Sequence, residues 1–144
     1  MSEQVTKKET TYSIAKAWFE AQFKGDAETG INLMDKDIEW INYTVIPGFN
    51  DAMPWIGTYC GIEDVVESWK VFGEVVEPKS EELVELIVEG ENAVGIVHEV
   101  SVIRETGKEF EIEFVQWLKI RNGKIVRWKS YTDPSSILSA MTKE

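Results

Sequence analysis

The segment FVQWLKIRNGKIVRWKSYT, residues 114–132, constrains the fold more than any other stretch. Asn122-Gly123 stands between two runs in which apolar and polar residues alternate. Both residues tolerate the positive φ that a type I′ turn needs, so the segment predicts an antiparallel hairpin with a two-residue loop. A hairpin alone is marginal in water; it needs further strands and a covering layer. The sequence supplies both. SEELVELIVEG (80–90), AVGIVHEVSVIR (93–104) and KEFEIEFVQWLKI (108–120) read as strands joined at Gly90-Glu91-Asn92 and Glu105-Thr106-Gly107.

The covering layer comes earlier in the chain. A helix is predicted from about Tyr12 to Lys24. Ile14, Trp18 and Ala21 share one face, Phe19 and Phe23 lie beside it, and Gly25 ends it. Asp26 caps a second, short helix through Ile31, Leu33 and Met34. IEWINYTV (38–45) reads as a strand. An irregular segment, IPGFNDAMPWIGTYCG (46–61), follows and suits a pocket rim. IEDVVESWKVFGEVV (62–76) is a helix with acids in its first turn. Asp133-Pro134 is a cap signature that opens a last helix, ending near Met141. The expected architecture is α+β: a cone-shaped, curved antiparallel sheet wrapped around helices. One domain over residues 1–144 is expected, with residues 1–11 as a flexible tail.

Charge and cysteine usage exclude several functions. The formal net charge of the 144 residues is −11, which opposes binding to nucleic acid or to an anionic membrane surface. Cys60 is the only cysteine, so there is no intrachain disulfide, and no Cys/His zinc pattern occurs. No cofactor motif is found, and none is expected. The polar N-terminus lacks a signal-peptide core, and no apolar run reaches the roughly 18 residues of a membrane span. A cytoplasmic location is the expectation.

Four cues then stand in order along nearly the whole chain: Gly25-Asp26 after the first helix, Asp37 and Trp40 at the first strand, Gly57-x-x-x-Gly61, and Asn122-Gly123-Lys124-Ile125. Together they resemble the nuclear transport factor 2-like superfamily, and within it the SnoaL-like and ketosteroid-isomerase-like branches. The resemblance implies a cavity at the wide end of the cone. It also implies slots for catalytic groups, and these are largely filled by other residues here. The ketosteroid isomerase slots resemble Trp18, Asn42 and Gln116, so the base is replaced by an amide. INYT and WKSYTD also resemble limonene epoxide hydrolase, and that resemblance implies slots for its catalytic trio at Glu99, Ser101 and Ser130, with its arginine absent. The cyclase acid and histidine slots resemble Ser130 and Gln116.

Two titratable groups remain as candidate catalysts, His98 and Glu99. Which of them faces the cavity depends on register. A three-residue loop at 105–107 aligns His98, Val100 and Val102 with Phe110, Ile112, Phe114 and Gln116. A four-residue loop sets Glu99 and Ser101 beside Ile112 and Phe114. Apolar matching favours the first; the resemblance to the epoxide hydrolase favours the second. The expected lining is Trp18, Trp40, Trp55, Trp69, Phe72, Phe114 and Trp128. Polar positions on it are Asn42, Tyr59, Ser101, Gln116 and Ser130, with Tyr43 and Tyr131 as further candidates. The expected ligand is a small, apolar, ring-bearing molecule. The expected activity is isomerase, cyclase or dehydratase chemistry, with a non-catalytic binding module as the alternative. A second apolar row on the sheet, including Val115, Trp117, Val126 and Trp128, leads to the expectation of a homodimer. Asp133 is read as a helix cap and not as a pocket acid.

Overall fold

The computed structural model describes residues 3–143, with side chains from Thr10 onward. Four helices and six strands run in the order α1 (Glu3–Lys24), α2 (Ala27–Leu33), β1 (Met34–Asn42), β2 (Gly57–Cys60), α3 (Ile62–Val75), β3 (Val76–Glu89), β4 (Asn92–Ile103), β5 (Glu109–Arg121), β6 (Lys124–Tyr131) and α4 (Ser135–Met141). The strands form one sheet in the order β2-β1-β6-β5-β4-β3. Every pairing is antiparallel except β1 with β6, which is parallel.

The hairpin forms as its sequence dictates. Arg121 pairs with Lys124, and Asn122 and Gly123 have φ of 52° and 76°. Three elements differ from the sequence reading. Helix α1 starts at Glu3, so the tail expected over residues 1–11 is helical from that point; Met1 and Ser2 lie outside the described residues. Strand β2 lies inside the segment read as irregular. It is four residues long and pairs only with β1, too short for alternation to show between flanking glycines. Strand β3 starts at Val76 and carries Pro78, which an edge strand tolerates. Register shifts at Pro78/Ser80 and Leu83/Glu85 bend this edge.

The β4–β5 register decides the inside of the protein. The loop has four residues, closed by Ile103 N–H to Lys108 O (2.9 Å) and Gly107 N–H to Ile103 O (2.8 Å). Glu99 therefore pairs with Ile112, and Ser101 with Phe110. The three-residue register favoured by apolar matching does not form. Val100 and Val102 are more apolar than the inward Glu99 and Ser101, so hydrophobic matching points to the wrong face, and the four-residue loop overrides it. The inward set is Ala93, Val97, Glu99, Ser101 and Ile103 from β4, with Phe110, Ile112, Phe114, Gln116 and Leu118 from β5.

Helix α1 lies across this inward face. A Cβ at Gly95 would sit 2.2 Å from the Phe19 ring, so only glycine lets the helix come this close. Phe19, Ile38, Val65, Val97 and Leu118 are fully buried in the shared core. Asp26 caps α2, accepting from Thr29 N–H at 3.2 Å and Thr29 Oγ1–H at 2.7 Å. Asp133 is not the N-cap expected from sequence: Pro134 holds that position without a side-chain cap bond, and Asp133 stands one residue before it in a local turn onto Ser135. Its Oδ1 accepts from Ser135 N–H at 3.0 Å and Ser135 Oγ–H at 2.6 Å, and its side chain stays on the surface.

Candidate functional site

A cavity of about 330 Å³ opens between α1, α3 and the inward face of the sheet. Its wall follows from strand pairing. Trp40 on β1 is the register partner of Trp128 on β6, and the two indoles stack at 3.7 Å with 6° between planes. Trp18 from α1 and Trp69 from α3 meet Trp40 edge-on, at 5.8 Å and 5.6 Å. Trp55, from the loop before β2, packs edge-on against Phe72 of α3 at 5.3 Å. The edge-to-face contacts add to plain burial, while Trp40 and Trp128 lie face to face with little lateral offset.

Polar groups in this wall are few and ordered. Gln116, fully buried, takes two indole N–H bonds on one oxygen: Trp18 Nε1 at 2.9 Å and Trp128 Nε1 at 2.8 Å. Its amide donates to Gln22 Oε1 at 3.0 Å, and the Gln22 amide donates to Glu81 Oε2 at 3.0 Å. Ser130 Oγ–H donates to Asn42 Oδ1 at 3.0 Å and accepts from Tyr43 N–H at 3.2 Å. Tyr43 has φ of 52°, a left-handed conformation that is unusual for a bulky residue. It turns the chain out of β1 and leaves the phenol buried in the cavity wall, where burial and the nearby Glu99 raise its pKa.

The titratable group of most interest is Glu99. It is 5% exposed and lines the cavity. Removal from water pushes its carboxyl up to about 7, against a donated bond from Ser101 Oγ at 2.6 Å that favours the charged form. Glu81, its direct register partner on β3, adds like-charge repulsion. Burial also raises Glu81, less the effect of the Gln22 bond. A carboxyl near neutrality can both give and take a proton at physiological pH. Trp40 Nε1 is buried and meets no acceptor among the described residues. Buried donors are almost always paired, so this N–H is a ready partner for a ligand acceptor.

The residues singled out from sequence fall into three groups. Trp18, Trp40, Asn42, Trp55 and Trp69 line the cavity, and so do Phe72, Glu99, Phe114, Gln116 and Trp128. Ser101 and Ser130 stand one layer behind and hold Glu99 and Asn42. The others lie elsewhere. Tyr59 donates its hydroxyl to Ile56 O at 3.0 Å, and Tyr131 is exposed. His98 points to the outer face, 2.5 Å from Glu111 Oε2 and 3.6 Å from Glu82 Oε1, because the four-residue loop reverses its parity. It cannot serve the cavity. Trp128 likewise belongs to the cavity wall and not to an outer apolar row. Glu81 and Gln22 escaped the sequence reading. Glu81 lies in a run of glutamates on a solvated edge strand, and only the alignment of β3 with β4 brings it inside.

Comparison with known proteins agrees with this architecture. Residues 15–128 match the family profile described as the SnoaL-like domain. A nuclear transport factor 2-like protein from Burkholderia thailandensis superposes with a TM-score of 0.81 at 24% identity, covering 92% of this chain and 97% of that one. Another, from Burkholderia xenovorans, gives 0.78 at 23% identity, covering 94% and 98%. A candidate SnoaL-like polyketide cyclase from Mesorhizobium loti gives 0.69 at 19% identity, covering 83% and 97%. At these identities the likeness is one of fold. No curated protein sequence matches the chain.

Proposed function

The chain belongs to the SnoaL-like domain family, within the nuclear transport factor 2-like superfamily, and from that premise we propose that it is an acid–base enzyme acting on a small, apolar, ring-bearing molecule. The reaction class is isomerisation, cyclisation or dehydration. One observation carries the proposal: a carboxyl raised to about 7 lines an aromatic cavity large enough for a compact ring system. Glu99 is the proton-transfer group. Its Ser101 bond fixes the carboxyl in place. The free Trp40 N–H favours a ligand with an acceptor oxygen on the ring. Cyclase and isomerase reactions at a ketone need that combination, a donor to oxygen and a group that moves a proton on carbon. The cyclase named among the structural relatives fits the same class.

The test uses a panel of ring-bearing ketones and phenols, with binding read by tryptophan fluorescence and turnover by mass spectrometry. Wild type binds and converts a member of the panel. Glu99→Gln binds the same compound and converts it at least a hundredfold more slowly, the typical scale of a lost acid–base group. Binding with no turnover in either protein would instead support a ligand-binding module. That second reading is favoured by the satisfied Gln116 network, which has the character of a sealed wall.

The working unit under this proposal is a homodimer. Val94, Ile96, Val100, Val115 and Trp117 remain half-buried on the outer face of the sheet, an apolar row that a second copy would cover.

A further inference from the structure

Glu81 and Glu99 are direct partners across the β3–β4 ladder, and both line the cavity. Side chains directly opposite on one face of an antiparallel pair stand about 5 Å apart at Cβ. Two ionised carboxylates on neighbouring strands of one apolar wall repel, and a pair coupled in this way takes up one proton before either member loses its own. The hydrogen-bond network says which member holds it. An indole N–H can only donate. Trp18 and Trp128 both meet Gln116, so the Gln116 atom facing them is oxygen. Its nitrogen therefore faces Gln22, whose facing atom must be oxygen in turn. The Gln22 nitrogen is left to face Glu81 Oε2, which accepts. Two indoles thus set the polarity of the whole chain, and it ends by stabilising charge on Glu81. Among the described residues Glu99 meets the Ser101 hydroxyl, which can donate or accept.

We propose that Glu81 and Glu99 work as one acid–base pair that shares a single proton, Glu99 carrying it and Glu81 standing ionised as the proton acceptor. The inference rests on the reading of Glu99 as the proton-transfer group and extends it. Glu99 gives its proton to one atom of the ligand while Glu81 takes a proton from another. Protons balance: the pair begins with one proton on Glu99 and ends with one on Glu81. Transfer between the two neighbours restores the start. Gln22 and Gln116 are positioning residues that act through Glu81. The ligand class narrows to neutral molecules with an oxygen acceptor and an acidic hydrogen. An anion would meet Glu81 with no basic side chain on the cavity wall to offset it. The other titratable groups facing the pair are Tyr43 and, at the rim, Asp26; among the described residues α1 and α3 contribute no charged side chain there.

Site-resolved ¹³C NMR of the glutamate carboxyls tests this without a ligand. In wild type, Glu99 keeps its proton to higher pH than Glu81 does. Glu81→Gln removes the neighbouring charge, and the Glu99 midpoint falls by roughly one pH unit or more. Gln22→Leu removes the bond to Glu81 and leaves both carboxyls in place. The proton then shifts toward Glu81, whose midpoint rises while that of Glu99 falls. Independent titration, with Glu99 unmoved by Glu81→Gln, overturns the shared proton. A wild-type proton resting on Glu81, or no response to Gln22→Leu, overturns the assignment of roles. These outcomes are separable from the functional reading. A coupled pair in a protein with no turnover would retire the enzyme and keep the pair. Turnover dependent on Glu99 with uncoupled titrations would do the reverse.

Discussion

His98 and Glu99 are adjacent in sequence and lie on opposite faces of β4, and the contrast between them shows what the sheet does to a titratable group. Both have a raised pKa, for opposite reasons. His98 is raised because Glu111, with Glu82 and Glu113 nearby, favours its charged form. Glu99 is raised because its burial disfavours the charged form. Near neutrality the outer face therefore favours an ion and the inner face a neutral acid. The same direction of shift means a gained charge on one side and a suppressed charge on the other. On the inner face no Lys, Arg or His among the described residues lines the cavity to offset the burial of Glu99.

The largest expected consequence concerns stability against pH. The Glu99 carboxyl rises from 4.5 to about 7 on folding. The folded state thus holds more proton than the unfolded state between those values. Stability is highest below about 4.5, as far as this group decides it, and falls as pH rises toward 7. The loss corresponds to about 3 kcal/mol. Glu99→Gln should remove that slope and raise stability at pH 8, read by urea midpoints at pH 5 and pH 8. A slope that survives the substitution would mean that Glu99 is more solvated than its burial indicates.

Second in size is the loss of an indole acceptor, which the two faces should handle differently. Inside, Gln116→Leu leaves the N–H groups of Trp18 and Trp128 unpaired and dry, at a cost of about 2 kcal/mol or more. Outside, Trp117 Nε1 donates to Asn92 Oδ1 at 2.9 Å and is only half-buried. Asn92→Ala leaves that indole to water and should cost about 0.5 kcal/mol or less. Comparable losses at the two sites would break the contrast between a dry and a wet face.

These same contrasts set what could be read from the sequence. Helix caps, the Asn122-Gly123 turn and the strand runs are local, and Asp26 and the β5–β6 hairpin stand where their residue types require, while the cap read at Asp133 falls one residue later, on Pro134. The face of β4 was not local. Its odd and even residues are both apolar enough to be buried, and one loop residue at 104–107 decides the parity. That choice exchanged His98 for Glu99 as the cavity group. Glu81 was hidden for a similar reason: its neighbours Glu82 and Glu85 are exposed, and nothing in the run SEELVEL marks one glutamate as inward. Trp18, Trp40, Trp55, Trp69 and Trp128 line the cavity, while Trp117, also on an apolar row, faces outward, so aromatic content alone marks candidates and the strand face decides among them.

A smaller effect is expected from the outer member of the first pair. Because the folded pKa of His98 is raised, its contribution is present below the usual 6.5 and fades as pH rises through the folded value. The side chain is well solvated and its partners Glu82 and Glu111 are exposed, so screening keeps the effect small. His98→Gln should leave ligand binding and turnover intact and alter stability slightly, only near and below neutrality. Loss of turnover in this variant would bring His98 back to the cavity and overturn the four-residue register.

The smallest effect is expected at Asp133, an acid that stands three residues beyond inward-facing Ser130 but outside the cavity. Its carboxyl is held below the usual aspartate range by bonds from the Ser135 hydroxyl and amide. A lowered folded pKa contributes stability above the unfolded value of about 3.8, lost as pH falls through the folded one. Asp133→Ser keeps an oxygen for the Ser135 amide, and Asp133→Ala keeps none. Thermal unfolding at neutral pH should rank wild type above Ser and Ser above Ala, with the gap between wild type and Ala narrowing in acid. Turnover should be unchanged in both. A Ser variant that is as stable as wild type but inactive would mean that this carboxyl reaches the ligand. The division between a catalytic inner face and a structural outer face would then fail at the end of β6.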